Sequence, residues 1–374
     1  MSELDALLSR AVADGVFPGC VALVWREGDV CYLGAHGRLA SADVAGARAL
    51  ATPVTPETVY DLASLTKVLA TTTLVAQAVA AGQLALDQPI PADLALADGS
   101  RPRLRDLLEH AAGLVAHREF FHAPWSLPPN RRAALIDAVR EVPREGPPAT
   151  AAVYSDLGFL LLGAWLERLH DARLDALFRE RVAVPLGLAD AIAYLPLGEP
   201  PRFDPATVAP TEVYTRPPDE HWHAIRAALG PSFAHAVVHD DNAVVMGGVA
   251  GHAGLFGRAE AVLTVARAWL ERRLPGVARA AQDALVASFT QPSAVPGSTR
   301  RLGFDGPSPD SSGSTGAALG PAAFGHLGFT GTSVWIDPDR AAVYVLLSNR
   351  VHPSRHDGRI RAIRPAFHTL AARL

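Results

Sequence analysis

Hydrophobic positions along the chain change period twice. Residues 2 to 15 place Leu4, Leu7, Leu8 and Val12 at helical spacing, and Gly15 and Pro18 follow. The period then falls to that of strands: VALVW and VCYLG, separated by REGD with Glu27 and Gly28 at the turn, predict a hairpin. Near the other end, TSVWID, the turn DPDR and AAVYVLLSN predict a second hairpin, and a helix is expected from about Arg359 to Leu374. Both ends therefore read as one antiparallel sheet with helices laid beside it.

Between the ends the signals are mostly helical, in LTKVLATTTLVAQAVAAG, LRDLLEH, RRAALIDAVREV and SDLGFLLLGAWLERLH. Long loops separate these segments. Residues 197–218, with six prolines, and 291–325, rich in Gly, Ser and Pro, are longer than simple connections and of the kind that lines or covers a site, as is 115–130. The expected class is α+β. Residues 1–62 and 255–374 form a discontinuous sheet domain, residues 63–254 a mainly helical one inserted between its strands, and the site lies at their junction.

A chain of 374 residues that is 49% hydrophobic and 19% charged can bury a large core. A net charge of −4 without a basic run leaves no electrostatic footprint for nucleic acid or an anionic membrane. No apolar run has signal-peptide or membrane-span character, so a cytoplasmic location is expected. In the predicted hairpin Cys31 faces Val24, which puts Cys20 on the same face but about 13 Å along at strand rise. A disulfide needs Cα atoms within about 7 Å, so both read as reduced core cysteines.

Chemistry enters through one residue. Of 34 basic side chains, 33 are arginine and one, Lys67, is lysine. Arginine supplies charge but cannot lose a proton, so a retained lysine points to an amine with a tunable pKa or a compact point charge. Lys67 lies three residues after Ser64, close to one helical turn, on a predicted helix whose N-terminus favours developing negative charge. A serine hydroxyl needs a neighbour to take its proton, and lysine or tyrosine can do so. Alone, Ser64 reads equally well as a helix cap. Tyr154, in AAVYSDLGFLLLG, also precedes a helix, and alone reads as packing. In GHLGFTGTSVWID, His326, Leu327 and Gly328 enter a strand, and a glycine there lets a ligand approach the backbone with the Phe329 N–H pointing at it. His252, Ala253 and Gly254 repeat the H-x-G spelling but precede a helical run. His235 with His239 and His221 with His223 have spacings open to metal ligation, but no cysteine or H-E-x-x-H pattern accompanies them, so no metal site is assigned.

Together, S-x-x-K on an early helix, Y-S-D at the mouth of a later one and H-x-G entering a late strand resemble the serine β-lactamase and penicillin-binding-protein family, in its class C-like and esterase branch. FPGCVALVW, LLEHAAGL, GGVAGHAGLF and LLSNRVHP extend the resemblance over nearly the whole chain. It implies a β-lactamase/transpeptidase-like fold in which Ser64 is acylated, Lys67 activates it, Tyr154 shuttles a proton to the leaving group and the Ser64 and Phe329 N–H groups form the oxyanion hole. Substrate binding would involve Asp156, His326 and Gly328. Asp156 stands where many β-lactamases have asparagine; near Lys67 it would hold the lysine protonated. His326 stands where many members have lysine, which weakens recognition of a carboxylate. The resemblance thus implies a serine hydrolase without metal or organic cofactor, acting through an acyl-enzyme on a small-molecule ester or amide. Esterase-like activity ranks first, D-alanyl-D-alanine carboxypeptidase or weak β-lactamase next, and a non-catalytic ligand-binding or scaffold protein stands outside that class.

Overall fold

The computed structural model describes residues 2–123, 131–213 and 233–374. Helix α1 (Glu3–Ala13) starts at a capping box: the Ser2 hydroxyl accepts from the Asp5 N–H and the Asp5 carboxylate accepts from the Ser2 N–H. Strands β1 (Gly19–Arg26) and β2 (Asp29–Gly37) form the first hairpin, and β6 (Phe324–Leu327), β7 (Ser333–Asp337) and β8 (Ala342–Ser348) complete an antiparallel sheet in the order β2-β1-β8-β7-β6.

The period-2 rule explains why β1 and β8 look apolar throughout. On one face Val21, Leu23, Val343 and Val345 join the larger core, under helix Ala259–Leu270; on the other, Ala22, Val24, Tyr344 and Leu346 pack against α1 and the last helix, Ile360–Ala371. At about 25 cal/mol per Å², burying each large aliphatic here is worth roughly 1.5–3 kcal/mol.

One expectation changes. The hairpin carries a bulge at Cys31, so Val24 pairs with Tyr32 and Trp25 with Val30. Cys20 is buried but Cys31 is exposed, and both are free thiols. The alternation that the hairpin reading applied to the strand fails where the bulge adds a residue.

Segments that position the site come from between the sheet strands. Short strands β3 (Tyr60–Asp61), β4 (Ile192–Tyr194) and β5 (Leu255–Gly257) form a second sheet in the order β3-β5-β4. Helix α2 (Thr73–Ala80) follows six residues of wider π-helical turn, Lys67–Thr72. Then come α3 (Leu104–Leu108), α4 (Arg131–Arg140) and α5 (Asp156–His170). The helical readings hold in kind and run shorter at their ends. Among the described residues no helix is long and apolar enough to cross a membrane.

Candidate active site

Strand β3 delivers the chain to Ser64 through a tight turn. Ala63 sits at φ +47°, the left-handed region that disfavours side chains, and the Asp61 carboxylate fixes it by accepting the Ala63 N–H at 2.8 Å and the His239 N–H at 2.7 Å. The next turn closes with i to i+3 bonds, Lys67 N–H to the Ser64 carbonyl among them, before the π-helical turns begin at Lys67. The predicted helix opens at Ser64 as expected, with turns wider than those of a regular α-helix from Lys67 to Thr72. Lys67, where the wider turns begin, points inward with 0% exposure.

Lys67 is fully engaged there. Its Nζ donates to Ser64 Oγ at 3.0 Å, to Asp156 Oδ1 at 2.8 Å and to the carbonyl of His252 at 3.2 Å. An ammonium has three hydrogens and no lone pair, so these acceptors match the protonated form. Burial pulls the Lys67 pKa down, but the Asp156 charge and the Tyr154 hydroxyl outweigh it, and the net shift is upward. Asp156, though penalised by burial, is driven well below the usual carboxylate range by Lys67 and by His117, whose Nδ1 is 3.2 Å from Asp156 Oδ2.

Tyr154 arrives just before α5, with its ring centroid 5.0 Å from Lys67 Nζ. Its hydroxyl interacts with both Lys67 and Ser64; burial nonetheless raises its pKa above the ordinary phenol value, so it rests as a neutral phenol. Arg300 lies 5.1 Å from the same ring and pairs with Asp305 at 3.2 Å.

His326 closes the third side, its ring 5.6 Å from that of Tyr154. Nδ1 lies 2.7 Å from the Leu327 carbonyl, an arrangement for the Nδ1–H tautomer, and burial beside Lys67 and Arg300 pushes its pKa down to about 3. It stays neutral. Gly328 lines the cavity, and a Cβ there would lie 1.9 Å from Thr332 Oγ1 and 2.6 Å from the Leu62 carbonyl. Protein fills the space in the Cβ direction, so the glycine also allows the strand end to abut the segment leading to Ser64. Two hydroxyls from the same β6–β7 turn complete the junction, Thr330 donating to the Asp61 carbonyl at 2.7 Å and Thr332 to the Leu62 carbonyl at 3.1 Å. Among the described residues neither the Ser64 nor the Phe329 N–H donates to a protein acceptor, and both residues line one cavity of about 710 Å³.

The other histidines fall outside this cluster of side chains or join it unexpectedly. His252 contributes its backbone carbonyl to Lys67 while its imidazole meets Asp240 at 2.9 Å; the three residues of β5 separate it from the helix that follows. His239 faces Glu212 at 3.2 Å, and His235 lies against the carbonyls of Pro205 and Val208. His221 and His223 lie outside the described residues. Sequence reasoning missed His117 and Arg300, which no local pattern marks, and the backbone part of His252, although its segment GGVAGHAGLF was already in the resemblance.

Comparison with known proteins agrees with the geometry. A family model described as Beta-lactamase matches residues 4–367. The chain is 30% identical over 369 residues to a putative D-alanyl-D-alanine carboxypeptidase of Escherichia coli O157:H7, covering 94% of this chain and 82% of that one. A protein of the same description from Salmonella agona is 29% identical over 370 residues, covering 94% and 83%. Among solved structures, EstCE1, a hydrolase with promiscuous acyltransferase activity, superposes with TM-score 0.72 at 22% identity over 98% of this chain and 97% of that one. A penicillin-binding protein homologue from Caulobacter crescentus gives TM-score 0.69 at 21% identity, covering 98% and 96%.

Proposed function

Because this chain belongs to the β-lactamase family, we propose that it is a serine hydrolase that forms an acyl-enzyme on Ser64 with a small ester or amide. The observation that carries the reading is the buried Lys67 ammonium, donating to Ser64 Oγ while Asp156 and the His252 carbonyl hold its other hydrogens. A lysine so committed has no lone pair for the serine proton. Tyr154 is then the shuttle: as Ser64 Oγ attacks, its proton passes to the Tyr154 oxygen while the Tyr154 proton passes to the leaving group. Lys67 serves as the fixed cation beside both oxygens. The Ser64 and Phe329 N–H groups stabilise the oxyanion; removing one such donor generally costs roughly 3–4 kcal/mol.

Esterase-like activity ranks first, because a neutral His326 offers no charge to a substrate carboxylate. One observation favours the carboxypeptidase reading as second: Arg350 and Arg361 line the cavity, and among the described residues Arg350 donates to the carbonyls of Phe329, Arg355 and Asp357. A cavity wall with arginine charge suits a carboxylate-ended peptide.

Intact mass after brief exposure to a fluorophosphonate tests the assignment. One adduct on the wild type, absent from Ser64→Ala, is expected, and no adduct on either protein would sink the hydrolase reading. A panel of esters, and of a D-alanyl-D-alanine peptide against its C-terminal amide, then ranks the two substrates.

A further inference from the structure

The segment LLEHAAGL, part of the sequence resemblance, has no place in the chemistry above. Its histidine is held in an unusual way. Helix α3 ends in a Schellman pair, with the Ala111 N–H on the Asp106 carbonyl at 2.7 Å and the His110 N–H on the Leu107 carbonyl at 3.2 Å. The residue at the left-handed position of this motif is usually glycine; here it is His110, at φ +57° and 4% exposure.

A side chain kept where glycine is easier has work to do elsewhere. The His110 carbonyl accepts the Val153 N–H at 2.9 Å, and its Nδ1 accepts the Ser155 N–H at 3.0 Å. These are the two neighbours of Tyr154. The His110 ring also packs on the Tyr154 ring at 4.7 Å between centroids and on Phe159 at 5.2 Å. Accepting at Nδ1 fixes the Nε2–H tautomer, and burial beside Arg300 and Lys67 keeps the ring neutral, so the acceptor is retained. The far side of the segment is tied as well, Ser155 Oγ donating to the Val115 carbonyl and the Asp156 N–H to that of Ala116.

We infer that His110 is the positioning residue of the reaction, clamping the backbone on both sides of Tyr154 and backing its ring so that the phenol oxygen is held between Ser64 and the leaving group. His110 is not among the residues that line the cavity, so it acts through Tyr154 rather than on the substrate directly. The inference rests on the proton-shuttle reading of Tyr154, which the test examines separately.

Rates would be measured on two esters of one acid, a p-nitrophenyl ester that leaves without a proton and an alkyl ester that needs one. His110→Gly keeps the left-handed backbone and removes the ring. The expected result is a kcat about 10- to 100-fold lower on the alkyl ester, a smaller loss on the p-nitrophenyl ester, which still needs Tyr154 to take the Ser64 proton, and KM little changed. Tyr154→Phe should show the same leaving-group dependence, and adding His110→Gly to it should cost nothing further. His110→Asn, which tolerates the left-handed backbone and places an acceptor near Nδ1, should restore most of the alkyl-ester rate. Equal losses on both esters, or losses that multiply in the double variant, would overturn the clamp. No leaving-group dependence in Tyr154→Phe would overturn the shuttle, and the clamp with it. Should His110→Gly not fold, His110→Gln, whose acceptor lies one bond further out, is read the same way.

Discussion

Lys67 and Asp156 form a buried ion pair whose partners depend on each other for their charge. Asp156 is the first support of the ammonium against burial, with Tyr154 adding to it. In Asp156→Asn the Lys67 pKa should therefore fall. The sign follows: a lysine raised by its partner contributes stability below its unfolded pKa, and that contribution is lost as pH rises through the folded value. The variant should lose it at neutral pH, about 3–5 kcal/mol for a broken buried pair, with the difference from wild type shrinking as pH rises through the folded value. Two measurements check this, urea unfolding at pH 7 and kcat/KM from pH 6 to 11. The basic limb of the rate profile should move to lower pH in the variant, and an unmoved limb would mean that Asp156 does not govern Lys67.

At the scale of elements, the proposed oxyanion hole depends on how closely the β6–β7 turn meets the segment before Ser64. The spacing of the Ser64 and Phe329 amides is set where Gly328, Thr330 and Thr332 touch Asp61 and Leu62. Gly328→Ala forces a Cβ against the Leu62 carbonyl. It should destabilise by about 1–3 kcal/mol, as overpacking does, and lower kcat at least tenfold by parting the two amides; thermal melting with steady-state kinetics gives both numbers. Much of this scale was legible beforehand: period and turn residues predicted both terminal hairpins and most helices. The contact itself was not, because Leu62 and Gly328 are far apart in sequence and no local pattern records which carbonyl a glycine must admit. The bulge at Cys31 escaped for a similar reason, since an inserted residue leaves the alternation on either side intact. His110 escaped too, since only the fold brings the end of α3 beneath Tyr154.

Across the whole molecule, three part-buried carboxylates with strongly lowered pKa values lie in or beside the site, whereas Asp98, also lowered, is exposed and held by Ser100 and Arg144. Glu212 is held down to about 2 by His239 and Arg355, with burial working against them, and Asp156 and Asp240 are depressed by their own partners. A depressed acid contributes stability above its unfolded pKa and loses it as pH falls through the folded value. Stability should thus hold down to about pH 4.5 and decline from there toward pH 2, with Glu212→Gln showing a shallower decline in acid denaturation followed by circular dichroism. The composition that first marked Lys67 acts at this scale as well. Every other basic side chain is a guanidinium, and the one side-chain amine is sealed inside. Reagents that label amines, and proteases that cut after lysine alone, therefore find no side-chain target on the folded surface. The first such modification of a lysine would report that the core around Ser64 has opened, giving the molecule a built-in indicator of its own loss of structure.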